Sequence, residues 1–295
     1  MSSRTIQELT APPDMLSWHR MDIEQRLSFP GGRFTRVNTL LSLIVAILLT
    51  GSFYLGVLAV PWTSIKSKFT DQGAIPYFTV FIACWCLAIL VIKWRKLAMQ
   101  KRCLGFDIVP QDAEFILSPR TINAVMDRIL QLVDDPKQFV LMNRITIALS
   151  NLRNLGRVSD VDEILRSQAE TDEAVSETSY ILLTGFVWAI PILGFIGTVL
   201  GLSVAIGNFG GAISAASGSA DALLPALKDV TGGLGIAFDT TLVALIFALF
   251  IQLCVTFLKK SEQEFLDACS EYCTRHIVNR LRLLPFGEDD STTEQ

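Results

Sequence analysis

Thr198, Asp239, Thr240 and Thr241 carry oxygen-bearing side chains inside segments otherwise apolar enough for lipid. Thr198 sits in WAIPILGFIGTVLGL (188–202), and Asp239, Thr240 and Thr241 sit in VTGGLGIAFDTTLVALI (230–246). Lipid-facing helix surface needs only bulk hydrophobicity, so hydroxyls and a carboxylate there point to another helix or to an ion path. An ionised carboxylate in such a span costs roughly 3 kcal/mol or more unless it faces protein or water. Two readings therefore stand for Asp239: a group in the ion path, or a hydrated residue near the outer mouth. The threonines either line a path or bond the backbone of their own helix. Gly194, Gly197 and Gly201 recur at intervals of three and four, which defines one helix face where a second backbone can approach closely. Pro191 removes one backbone hydrogen bond and is a candidate kink.

The elements that must position these residues follow from hydropathy. Of 295 residues 51% are hydrophobic and only 18% charged, with a mean hydropathy of +0.44, more than a soluble core of this size requires. Apolar runs long enough to span a bilayer occupy roughly 38–60, 75–92, 180–208 and 230–258. The expected fold is an all-α polytopic membrane protein with four transmembrane helices, a helical cytoplasmic insert and helical cytoplasmic extensions. Its segments are an interfacial or cytoplasmic N-terminal part (1–37), peripheral spans 1 and 2 (38–92), the insert (93–178), and core spans 3 and 4 (179–258) with an outer loop at 209–229. A cytoplasmic helix and tail (259–295) complete the chain.

Basic residues set the orientation. Arg20, Arg26, Arg33 and Arg36 precede the first run, Lys93, Arg95, Lys96, Lys101 and Arg102 follow the second, and Lys259 and Lys260 follow the fourth. Both termini are expected in the cytoplasm, although Lys66 and Lys68 in the first outer connection run against the rule. The first apolar run is too long, and too far from the N-terminus, to read as a cleaved signal peptide.

Inside the insert, Ser118-Pro119 reads as a helix start, with Ile122, Val125, Met126, Ile129, Leu130 and Val133 at helical spacing. Further helices are expected at 137–152 and from Ser159 or Asp160 onward, the latter running into the third span. Beyond the fourth span, Phe265, Leu266, Cys269, Tyr272, Cys273, Ile277 and Leu281 continue a helical stalk, and 287–295 reads as a frayed end. The amphipathic stretch 15–27 reads as one further helix.

Several functions are excluded by what the sequence carries. A net charge of −4 provides no basic surface for nucleic acid. The two histidines, and a glycine cluster at 232–235 with no lysine after it, form neither a hydrolase signature nor a phosphate loop, so no enzyme is expected and no cofactor beyond a transported ion. Cys269, Cys273 and His276 share a helix face, but buried structural thiols are the expected role.

The segments AIPILGFIGTVLGL (189–202) and GIAFDTTLVAL (235–245) resemble the paired core signature of the MotA/TolQ/ExbB proton-channel family. The four-span layout with its insert looks like the flagellar-stator arrangement, while the third span is as close to TolQ and ExbB. The resemblance implies an ion-driven motor subunit of the bacterial inner membrane: a homopentamer around a dimer of a MotB/TolR/ExbD-like single-span protein. In the family that partner's membrane aspartate carries the ion past threonines of the two inner helices. Thr198 and Thr240 match those positions, and Pro191 matches the proline of the third span. Thr241 makes a pair reminiscent of sodium-driven stators, so protons and sodium both stand. Asp239 departs from the pattern of the best-known members, and five copies would form an acidic ring near the path. A second reading is a non-conducting scaffold that binds cytoplasmic partners through 93–178. A self-contained transporter would show inverted repeats, and none is visible.

Overall fold

The computed structural model describes residues 16–27, 29, 31–59, 61, 63–70, 72–109, 121–155, 158–215 and 220–281. Among them the regular structure is helical apart from isolated bridge residues, of which Leu16 pairs with Val133. The chain is an all-α protein with four helices long and apolar enough to cross a membrane. It divides into two compact units.

The membrane unit takes Thr39–Ile92 and Tyr180–Lys259. It holds α3 (Thr39–Ala59), the short α4 (Thr63–Thr70), the first part of α5 (Ile75–Arg102), α9 (Ile181–Ala215) and most of α10 (Ala220–His276). The Trp85 indole donates to Ser42 Oγ at 3.0 Å and lies 4.8 Å from the Phe186 ring, which ties α5 to both α3 and α9. The expected outer loop at 209–229 is helical except for residues 216–219, which lie outside the described residues. Hydropathy marks where lipid-compatible sequence stops, and a helix need not stop there. At about 1.5 Å per residue α9 is about 52 Å long, well beyond a hydrocarbon core of about 30 Å.

The second unit is assembled from Met1–Asn38, Lys93–Ser179 and Lys260–Gln295. Its helices include α6 (Ile122–Leu132), α7 (Val140–Leu155) and α8 (Val158–Ser179). The start proposed at Ser118-Pro119 lies outside the described residues, as does 287–295. Helix α6 buries Ile122, Val125, Ile129 and Leu132 at the 3-4-3 spacing of one face. Leu130, expected on that face, is instead exposed.

The stretch read as one amphipathic helix from 15 to 27 is two single turns, α1 (Trp18–Met21) and α2 (Ile23–Arg26), separated by Asp22 in extended conformation. Asp22 and Ser17 each cap the turn that follows with their side chains, and this favours the break over a continuous helix. The segment acts as a strap. Trp18 is buried edge-on to Phe139, with ring centres 5.4 Å apart. Asp134 accepts hydrogen bonds from Ser17 Oγ (2.8 Å), Trp18 N (2.8 Å) and His19 N (3.3 Å).

Partial burial on its own would raise the Asp134 carboxyl, but these donors and the Asp135 amide hold it below its ordinary value. A carboxylate depressed in the folded state stabilises fully above its unfolded pKa, and that contribution disappears as pH falls through the lowered value. Asp134→Ala should therefore expose residues 16–27 to limited proteolysis about tenfold faster at neutral pH, with the difference vanishing in strong acid. Equal cleavage rates at pH 7 would refute the clamp.

Among the described residues of this unit, three buried cations, Lys93, Lys96 and Arg144, are held in ion pairs, Lys96 with both Asp22 and Glu24. Lys93 Nζ meets Glu262 Oε2 at 2.9 Å and donates to Thr35 Oγ1 (3.0 Å) and Ser179 Oγ (2.7 Å), and Thr35 also bonds to Glu262. Lys96 Nζ binds Glu24 Oε2 at 2.5 Å and the Arg36 carbonyl at 2.8 Å. Arg144 Nε donates to Asp172 Oδ2 at 2.6 Å, and its Nη1 donates to Ser270 Oγ at 2.8 Å. Cys269 and Cys273 are buried, and the His276 ring packs 4.5 Å from that of Tyr272.

Candidate functional site

Helices α9 and α10 run antiparallel, and small residues set how closely they approach. A methyl placed on Gly194 would lie 2.6 Å from Ala244 Cβ, one on Gly201 3.1 Å from Ala237 Cβ, and one on Gly233 2.7 Å from Ala205 Cβ. One on Gly197 would meet Thr240 Oγ1 at 2.8 Å. These four pairs form a ladder: moving three or four residues along α9 moves the partner three or four residues back along α10. Backbones this close leave no room for a Cβ at the glycine positions. The helix continues through Pro191, whose missing N–H leaves one carbonyl of the preceding turn without its usual donor.

Within this seam the structure brings Thr198 to Thr241. Their hydroxyls are hydrogen-bonded to each other. Thr198 Oγ1 also lies 3.2 Å from the Gly194 and Ala237 carbonyls, and Thr241 Oγ1 donates to Gly194 O at 2.9 Å. Two hydroxyls and two carbonyls, one of each from either helix, thus converge at a single level. Thr240, the position singled out beside Thr198, is buried on the glycine face, where its hydroxyl donates to its own helix at Ala237 O, 2.8 Å away.

Asp239 lies elsewhere. At about 100° per residue it is roughly 200° around α10 from Thr241, on the side away from α9. There it pairs with Lys68 Nζ at 2.9 Å, both side chains remaining partly exposed. No titratable side chain among the described residues bonds to the threonine pair. The hydroxyl level lies farther from the helix ends than the apolar runs alone suggest, because both helices continue past those runs. Counting from Ala215 and Ala220, Thr198 and Thr241 lie about 25 and 31 Å along their helices, against about 15 Å from ends placed at Asn208 and Val230.

Residues 134–271 match the MotA/TolQ/ExbB proton channel family. The match covers just under half of the chain. It contains the whole α9–α10 seam, the threonine pair, Asp239, and the Arg144–Asp172 and Glu262 ion-pair residues, while α3, α4 and α5 precede it. No curated protein and no solved structure matches the chain. The match to a proton channel family over this segment, together with four membrane-capable helices, supports a multi-pass membrane protein of ion-channel or motor type.

The MotA/TolQ/ExbB segment carries a large apolar surface. Trp188, Phe195, Val204, Phe238, Leu249 and Phe257 are each more than 60% exposed, a surface that requires lipid or other subunits against it. Sequence reasoning missed Lys68 as a site residue and Thr241 as the closest mate of Thr198. Spacing alone does not select Thr241, because Ala237, Thr240 and Ala244 fit a helix face as well as Ala237, Thr241 and Ala244 do.

Proposed function

We propose that this subunit conducts protons, with sodium as the alternative cation, along the Thr198–Thr241 level, and that the flow drives work in a complex. The single observation that carries the reading is the hydroxyl pair meeting in the α9–α10 seam of a proton-channel family segment. Hydroxyls can pass or coordinate a cation but cannot hold a proton at neutral pH. The carboxylate that does so is supplied by a partner, a dimer of a MotB/TolR/ExbD-like single-span protein. Five copies of this chain surround that dimer, with the exposed apolar faces of α9 and α10 against one another, the partner and lipid. The complex resides in the bacterial inner membrane with both termini in the cytoplasm. Each ion crossing down the potential releases about 2.3 kcal/mol per charge per 100 mV. Alternate neutralisation of the partner carboxylate changes its attraction to the threonine wall and advances the pentamer one step.

Thr198→Val and Thr241→Val keep shape and remove the hydroxyl. Each is expected to cut ion flux at least about tenfold in membrane vesicles containing the co-purified complex, the size expected if one 1.4 kcal/mol hydrogen bond is lost at the barrier. Native mass spectrometry should still show five copies with two of the partner. Assembled variants that conduct as wild type does would sink the reading and favour a scaffold.

A further inference from the structure

Lys68 belongs to α4, the eight-residue helix between the first two spans, and its ammonium reaches Asp239, the carboxylate next in sequence to Thr240 and Thr241. Its placement is fixed by its neighbour. The Phe69 ring lies 5.3 Å from Phe53 of α3 and 6.5 Å from Phe247 of α10, so α4 is anchored to the same helix that carries Asp239. The pair is on the side of α10 away from the threonines, about 10 Å off, which is one helix diameter. That is well within the Debye length of about 30 Å at 10 mM salt, so a net charge at Asp239 would be felt there by a cation at Thr198 and Thr241. With Lys68 in place the two charges cancel.

We propose that Lys68 is a tethered counter-cation for Asp239, and that the pair sets the rate at which cations reach the threonine path by keeping its surroundings neutral. The role rests on the conduction reading above and goes beyond it, because it assigns ion-rate control to a residue of the peripheral helix α4. It also gives a reason for a lysine that runs against the charge rule for outer segments.

A purely structural salt bridge and an electrostatic one differ in the sign of their mutants. Removing either partner breaks a structural bridge equally. Under the proposal, Lys68→Gln uncovers a negative charge and Asp239→Asn uncovers a positive one, so the two shift cation access in opposite directions. In vesicles containing the full complex at about 10 mM salt, Lys68→Gln should raise the initial ion-flux rate about two- to fivefold and Asp239→Asn should lower it by a similar factor. The double variant Lys68→Gln/Asp239→Asn and the swap Lys68→Asp/Asp239→Lys should both lie within about 1.5-fold of wild type. All differences should collapse near 0.5 M salt, where screening shortens to about 4 Å. Single variants that move flux in the same direction, or shifts that survive high salt, overturn the proposal while leaving conduction intact. Wild-type vesicles with no flux above protein-free ones overturn the conduction reading, and this one with it.

Discussion

Arg144→Met should lower the apparent thermal midpoint of the purified protein by about 10 °C, the equivalent of 3–5 kcal/mol in a unit of this size. The guanidinium and its partner Asp172 are 1% and 3% exposed, so neither charge has water to fall back on. Truncating the cation leaves the buried carboxylate with only the weaker influence of the Arg33 charge, and it also removes the Nη1 bond to Ser270. The large cost lies in breaking the pair, because burying both ions already consumed much of their mutual attraction. The double variant Arg144→Met/Asp172→Leu should therefore recover most of the loss. Arg166 and Asp162, an exposed pair four residues apart on α8, provide the control: Arg166→Met should shift the midpoint by no more than about 2 °C. Fluorescence of Trp18, which is buried in the same unit, reports the transition. If Arg144→Met melted with wild type, the pair would contribute nothing and the account of this core would be wrong.

Spans and cores were unequally readable from the sequence. The first span, expected at 38–60, is the helix Thr39–Ala59, because a continuous apolar run leaves the backbone no alternative in lipid. The second was expected to end at Ile92, where its charges begin, yet α5 continues to Arg102. By sequence alone Lys93 and Lys96 are a cationic flank that sets orientation. In the structure both are almost fully buried, against Glu262 and Glu24. Those partners lie 169 and 72 residues away in sequence, and no local pattern encodes such a pairing. A lysine looks the same in sequence whether its partner is water or a buried carboxylate.

The seam itself shows what helical arithmetic can and cannot recover. Gly194, Gly197 and Gly201 declared a close-packed face by spacing alone. The other half of the ladder, Ala237, Thr240, Ala244 and Gly233, was recoverable only once the two helices were set antiparallel in a defined register. The same 3.6-residue period places Thr241 toward α9 and Asp239 away from it, so adjacency in sequence brought together two residues that the helix separates. The reach of Lys68 to Asp239 depends on where a short outer helix comes to rest, which hydropathy does not encode.

Gly194→Ala tests that register at its tightest rung. The added methyl would lie 2.6 Å from Ala244 Cβ and 3.2 Å from Thr241 Cα, where carbons are comfortable at about 3.5–4.0 Å. Neither obstacle can rotate away, since one is a methyl fixed to the backbone and the other is backbone itself. The helices must separate by about 1 Å, at an overpacking cost of about 1–3 kcal/mol. The same movement stretches the 2.9 Å bond from Thr241 Oγ1 to Gly194 O and disturbs the hydroxyl pair beside it. Both the thermal midpoint and ion flux should therefore fall together. Gly194→Ala/Ala244→Gly carries the methyl across the seam to the opposite helix, so the double variant should regain most of both. Gly185→Ala, on the same helix but with nothing within 4 Å of the new methyl, should leave the α9–α10 spacing unchanged. Recovery in the double variant is the decisive outcome, because a glycine needed only for backbone flexibility could not be rescued by removing a methyl from the facing helix.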